Sequence, residues 1–403
     1  MNEQKITVVI PTRERSDVLE KSLITVTSQD YGNLEVIVSD NYSCDDTEDV
    51  VRSINDARVK YINTGKRVSM SHNWEFALSH VADGWVTIIG DDDGLLPGSL
   101  NKVSEIIRST DVQAIRSSVC SYSWPSLTGK DFGRMGIPLK SGCEVRDSKV
   151  WLSKLMNGYA NYSELPMLYN GGFVDMQVMK KIKRKTGAVY LSCIPDVYSA
   201  VSISSVIEKY IYSNEPLAIN GGSKHSTGTS YFAESGKSAL SPAQKFRAEA
   251  NISFHENVPL CADGSYPLSI QALVYESFLQ SATLRDAIPE RMHLQQLELI
   301  LATADRRDVV VWEWGKLFAM NHGLNYEEIQ NRARRRGMFL RLMSFPSRIS
   351  SAFNTCTVGS TKLPIKDVYE ASIVAAEVRN HMPSRFKKMY RLFDRALEKT
   401  ISA

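Results

Sequence analysis

Cysteine is sparse and scattered. Cys44, Cys120, Cys143, Cys193, Cys261 and Cys356 form no CxxC pair and show no finger-type spacing. That excludes a disulfide scaffold and a structural zinc domain, and it fits a reducing compartment. No run of roughly 18 apolar residues occurs, so a transmembrane helix is not expected. The opening MNEQKITVVIP has no basic region leading into a long apolar core, so a secretory leader is not expected and a cytoplasmic location is. Neither GxGxxG after the first apolar run nor GxxxxGK(S/T) anywhere is present, which disfavours a dinucleotide fold and a P-loop. An excess of one charge is also missing, since 48 Lys and Arg against 45 Asp and Glu leave +3 over 403 residues.

That balance conceals a division. Residues 1–100 hold 9 basic and 17 acidic side chains, a net of −8, so the remainder carries +11. A nucleic-acid-binding module is usually basic, so the front of the chain is unlike one. With 43% hydrophobic residues and this length, the chain can build two or three packed units.

What is present is an alternation of two periodicities. Ile6–Pro11, Leu34–Asp40, Val59–Asn63 and Trp85–Asp91 are short apolar runs rich in β-branched residues, as in strands buried on both faces. Helical spacing lies between them: Leu19, Leu23 and Val26 follow Ser16-Asp17, and Trp74, Ala77, Leu78 and Val81 follow Ser71. Strands alternating with helices predict an α/β module with a parallel sheet and ligands at the carboxyl ends of the strands. Polar clusters stand at those ends: Pro11-Thr12-Arg13, Asp40-Asn41-Tyr42-Ser43 and Gly90-Asp91-Asp92-Asp93. Further on, helices are expected at 147–156, 175–185 and 196–212, and a strand at 189–195. Residues 221–243, rich in Gly, Ser and Thr, read as a loop or linker. Residues 244–330 and 365–400 read as helical.

Three consecutive carboxylates closing a buried strand are the strongest local signal. Like charges repel, and a hard divalent cation such as Mg²⁺ or Mn²⁺ resolves the conflict by taking oxygen ligands and bridging phosphates. A solvated acidic turn is the plainer alternative.

The stretch ITVVIPTRERSDVLEKSLITVTSQDYGNLEVIVSDNYSCDDTEDVV, then Asn63-Thr64-Gly65, Asn73 and IIGDDDGLLPGSL, resembles the family 2 glycosyltransferases of the GT-A fold. The likeness is good over about 1–105, looser to 230 and absent beyond. It implies a Rossmann-like mixed sheet flanked by helices over 1–230, and the helical pattern beyond it makes 231–403 a mainly α-helical region. It places Pro11, Thr12, Arg13, Asp40 and Asn73 at the nucleotide. It sets Asp91 at the ribose and Asp92 and Asp93 at the metal, Mn²⁺ or Mg²⁺. The family's D-x-D-D becomes Gly90-Asp91-Asp92-Asp93 here, which leaves open which aspartate does what. His72 stands where the family often has Arg, and Lys66 or Arg67 can supply that charge. Asp196 matches the position of the general base, with Pro195 in place of the usual Glu, and its bland reading is a helix N-cap. His225 matches a third metal ligand from a loop, with Lys224 beside it for the diphosphate. Tyr169-Asn170-Gly171-Gly172 can shape the sugar or acceptor pocket, or be an ordinary turn.

Residues 332–366 carry eight basic side chains and no acid, interleaved with Met338, Phe339, Leu340, Leu342, Met343, Phe345 and Ile349. A contact with the inner face of the cytoplasmic membrane, a packing face with solvated arginines, and nucleic-acid binding are the three readings. The resemblance implies an inverting, metal-dependent, non-processive transferase that moves a sugar from a nucleoside-diphosphate donor, such as a UDP-sugar. The acceptor would be a hydroxyl of a glycan or lipid-linked oligosaccharide in bacterial surface polysaccharide (O-antigen or capsule) synthesis. The alternative is a catalytically degenerate scaffold of a polysaccharide assembly complex.

Overall fold

A computed structural model describes residues 3–127, 133–226, 251–267, 269–285, 291–305, 308–359 and 365–381. Its centre is β1 (Ile6–Thr12), flanked in parallel by β2 (Leu34–Asp40) and β4 (Trp85–Ile88), with β3 (Val59–Asn63) parallel beyond β2. Side chains alternate across a strand, so β1 feeds two cores. Ile6, Val8 and Ile10 face α1 (Ser16–Thr27) and α4 (Ser99–Ser109). Val9 faces α3 (Met70–Ser79) and α6 (Met176–Thr186). Burial on both faces is why these strands read as continuous apolar runs. The short α2 (Thr47–Ser53) packs on α1 and on the edge made by β2 and β3.

Beyond β4, the sheet becomes mixed. The two-residue β5 (Gly94–Leu95) precedes α4, and β6 (Ala114–Ser123) follows it. Next come β7 (Met135–Pro138), β8 (Cys143–Asp147), α5 (Ser148–Met156) and β9 (Gly172–Asp175). β9 runs antiparallel between β4 and β6. After α7 (Pro195–Val206), the long β10 (Lys209–Gly222) pairs parallel with β6 and antiparallel with β5 and β8.

Three local expectations fail here. Residues 189–195 form no strand, because the N–H groups of Val189 and Tyr190 donate to the Glu75 carboxylate at 2.7 and 3.2 Å rather than to a ladder. The helix expected over 196–212 stops at Val206, because Ile207 turns extended and the following residues are drawn into the three-way pairing of β10. Residues 251–267 are irregular instead of helical. Most of the expected loop at 221–243 lies outside the described residues.

The C-terminal region is mainly helical. α8 (Ile270–Gln280), α9 (Met292–Thr303), α10 (Val309–Asn321) and α11 (Tyr326–Phe353) share one apolar core with α5 and α7. The chain then returns to the sheet, where β11 (Thr355–Val358) pairs antiparallel with β7. α12 (Val368–His381) packs its Val368, Ala371, Val374, Ala375 and Val378 against the buried side chains of β6, β7 and β10. Among the described residues, no helix is long and apolar enough to cross a membrane.

Candidate active site

The rim formed by the carboxyl ends of β1, β2 and β4 gathers the polar clusters, as parallel strands require. Their roles divide sharply. Asp93 is used internally. Its Oδ2 accepts from the Gly90 N–H at 2.8 Å and the Tyr169 hydroxyl at 2.7 Å, and its Oδ1 accepts from the Gly221 N–H at 2.8 Å. Burial, then repulsion from Asp92, push its pKa up to about 7 against these donors. Gly90 belongs to the same device. A Cβ there would lie 2.8 Å from Asp93 Oδ2 and 3.1 Å from the Tyr169 hydroxyl. The glycine that departs from the family pattern therefore makes room for the folded-back Asp93.

Asp92 and Asp91 are held differently. Asp92 Oδ2 accepts from the hydroxyls of Ser223 and Ser226, each at 2.6 Å. Asp91 Oδ1 accepts from Arg15 Nη1 at 2.8 Å, while Arg15 Nη2 donates to the His225 carbonyl at 2.5 Å. Burial pushes the Asp91 carboxyl above its usual range, opposed by Arg15. One guanidinium thus ties the start of α1 to the aspartate run and to the turn after β10.

The expected nucleotide residues lie around this rim. Pro11 and Arg13 are half-buried and Thr12 is buried. Asp40 is buried, with Oδ1 accepting from Ser43 N–H and Oγ at 3.1 and 2.6 Å. Its Oδ2 accepts from the Tyr61 hydroxyl at 2.6 Å and Asn63 Nδ2 at 3.0 Å. Asn73 clamps α3 to β2: its Oδ1 accepts from Ser39 Oγ at 2.7 Å and its Nδ2 donates to the Ser39 carbonyl at 3.1 Å. Arg67 pairs with Glu14 at the surface. Lys224 Nζ and His225 Nε2 both reach Asp17 on α1, at 3.0 and 3.1 Å, so the imidazole faces Asp17.

Asp196 sits in the first turn of α7, after Pro195 at the start of the helix; the N-cap is Ile194, so Asp196 is not the cap. Its Oδ2 accepts from the Tyr162 hydroxyl at 3.4 Å, and burial raises its pKa. Tyr169 is near both carboxylate groups: it stacks on Trp74 at 5.4 Å, bonds Asp93, and feels the charges of Asp92 and Asp196. Arg116, buried beneath, holds this loop. Its Nε donates to the Ser163 carbonyl at 2.6 Å, and its Nη1 donates to the carbonyls of Tyr169 and Asn170 at 3.0 and 2.7 Å.

Arg15, Ser223, Ser226, Tyr162 and Arg116 escape sequence reasoning. Arg15 had a signal, two residues past Arg13 in the same PTRER cluster. Tyr162 and Arg116 had none. Among the described residues, no group of three or more His, Cys, Asp or Glu side chains is arranged to hold a metal. The donors at the rim nonetheless suit a hard cation, since Asp91 and Asp92 offer adjacent carboxylate oxygens and Mg²⁺ or Mn²⁺ takes its remaining ligands from phosphate and water.

Residues 7–140 match the model of glycosyl transferase family 2. Over this segment the chain is similar to the family 2 glycosyltransferases. The mixed sheet flanked by helices is the arrangement that the GT-A resemblance implied, and the helical C-terminal region is the one expected from the sequence pattern. The chain is 28% identical over 172 residues to the GalNAc(5)-diNAcBac-PP-undecaprenol beta-1,3-glucosyltransferase of Campylobacter jejuni, covering 42% of this chain and 54% of that protein. It is 42% identical over 74 residues to the validoxylamine A glucosyltransferase of Streptomyces hygroscopicus subsp. jinggangensis, covering 17% of this chain and 18% of that one. The chain thus spans about half or less of these relatives' length. Among solved structures, S. aureus TarS 1-349 in complex with UDP-GlcNAc aligns at 13% identity, over 84% of this chain and 92% of that one, with a TM-score of 0.45.

Proposed function

We propose that this glycosyltransferase moves a sugar from a nucleoside-diphosphate donor, read as a UDP-sugar, onto a hydroxyl of a lipid-linked glycan, inverting the anomeric centre. The relative that acts on a polyprenol-linked glycan supports the acceptor class. The observation that carries the reading is Tyr169, which bonds Asp93 and feels the charges of both Asp92 and Asp196. On this reading the leaving group and the proton acceptor share the neighbourhood of one tyrosine, as a single displacement requires.

Asp196 takes the acceptor's hydroxyl proton as that oxygen bonds to the anomeric carbon. The bond from that carbon to the diphosphate breaks, and the nucleoside diphosphate leaves with the electron pair. Burial raises the basicity of Asp196 above that of an ordinary carboxylate, which suits a general base. Arg15 places fixed positive charge beside Asp91. Asp92, with Asp91, would hold a divalent cation that offsets charge on the departing diphosphate.

The test is UDP release from UDP-glucose and UDP-GlcNAc, with and without Mn²⁺. Asp196→Asn should cut turnover by about a thousandfold with little change in donor KM, as expected for lost general-base catalysis. Asp92→Ala should abolish the response to Mn²⁺. Unchanged turnover in both variants would refute the assignment. No release from any nucleotide sugar would favour the scaffold reading.

A further inference from the structure

The helix α11 has two apolar sides. Ile329, Ala333 and Gly337 are buried on one, where Gly337 lies so close to α9 that a Cβ would meet the Ala302 carbonyl at 2.7 Å. On the other side Met338, Phe339, Leu342, Met343, Phe345 and Phe353 are exposed, from 49% for Phe339 to 73% for Leu342. At about 100° per residue these six fall within an arc of roughly 160°, opposite the buried side. So contiguous an exposed apolar strip marks an interaction surface.

The charge around the strip says what it meets. Arg335 stands on the same face one turn before Met338, and Arg334 and Arg341 line one edge. Arg332 and Arg336, on the other flank, are committed to Glu298 at 3.0 and 3.5 Å. Arg334, Arg335 and Arg341 are exposed and form no ion pair among the described residues. No acid occurs between Glu328 and Asp367. Pairing this face with a second copy about a two-fold axis would set arginines of the same sign together. A phosphate backbone has no use for a strip of Phe, Leu and Met between the charges. A bilayer with anionic headgroups accepts both parts, with apolar side chains entering the acyl boundary and arginines resting at the phosphates.

We infer that the outer face of α11, centred on Phe339 and Leu342, docks this protein on an anionic membrane surface. The inference stands apart from the proposed reaction, since lipid binding needs neither donor nor cation. The experiment is flotation of the full chain with phosphatidylcholine vesicles containing or lacking phosphatidylglycerol. The protein should float with the anionic vesicles only, and added salt should weaken this. Phe339→Ser with Leu342→Ser, and separately Arg335→Glu with Arg341→Glu, should each weaken partitioning by about tenfold or more. These side chains are exposed, so both variants should keep the wild-type melting temperature and UDP release. Failure of the wild type to float, or flotation unchanged in both variants, overturns the inference. So does a wild-type dimer that Phe339→Ser with Leu342→Ser converts to monomer, because the face would then be a protein interface.

Discussion

Replacing Glu276 by glutamine should stabilise the protein at alkaline pH and leave it nearly unchanged at acid pH. Glu276 is 0% exposed on α8, beneath the loop that leads to Asp196. Its Oε2 accepts from the Ser192 hydroxyl at 2.6 Å, and its Oε1 accepts from the His255 N–H at 3.2 Å and Gln280 Nε2 at 2.8 Å. Burial pushes its pKa up to about 7 from 4.5, against those donors. The folded state therefore binds this proton more tightly than the unfolded chain. Its stabilising contribution is complete below pH 4.5 and is lost as pH rises through 7. The gap between the two values sets that loss at roughly 3 kcal/mol, an upper bound. A glutamine oxygen can take the place of Oε1, and its amide can donate to Ser192, whose hydroxyl also accepts. Urea unfolding of both proteins at pH 5.5 and pH 8.5 measures the effect, because the titrations of all other groups cancel in the difference. The variant should match the wild type within about 1 kcal/mol at pH 5.5 and exceed it by about 2–3 kcal/mol at pH 8.5. A variant less stable than the wild type at pH 8.5 would refute the reasoning, because Glu276 would then be acting as a stabilising anion.

Two further variants probe the site. Ser223→Ala with Ser226→Ala strips both hydroxyls from the buried Asp92 and should cost about 2–4 kcal/mol in the absence of metal. Mn²⁺ should raise the melting temperature of this variant more than that of the wild type; an equal rise would count against Asp92 as a metal-facing group. Arg116→Lys cannot span the three carbonyls that hold Tyr162 and Tyr169 in place. Turnover should fall by about tenfold beyond any loss explained by the melting temperature, with donor KM little changed. A lowered melting temperature with wild-type turnover would reduce Arg116 to a purely structural support.

The front half of the chain was legible because its strands are buried on both faces. Such strands need unbroken β-branched runs, and ITVVIPT, LEVIVSD and WVTI supply them. Strand β10 was not legible, since KYIYSNEPLAINGG has no clean alternation and owes its state to pairing with β5, β6 and β8. The helical state of α11 beyond residue 330 was not legible either, because an inner and an outer apolar stripe on one helix cancel.

Sequence alone determined that polar clusters would line the carboxyl ends of parallel strands, because parallel direction follows from strands alternating with helices. It also determined the acidic front and the acid-free stretch behind it. Only the tertiary structure decided which carboxylates are spent on the fold and which face the site. Asp93 is consumed because Gly90, Tyr169 and Gly221 converge on it, whereas Asp92 meets only the hydroxyls of Ser223 and Ser226 at the rim. Arg15 reaches His225 across 210 residues, and Tyr162 reaches Asp196 across 34. Contacts at such separations have no local signature. They depend on where loops at the ends of packed strands come to rest, and short polar side chains there are set by neighbours that only folding supplies.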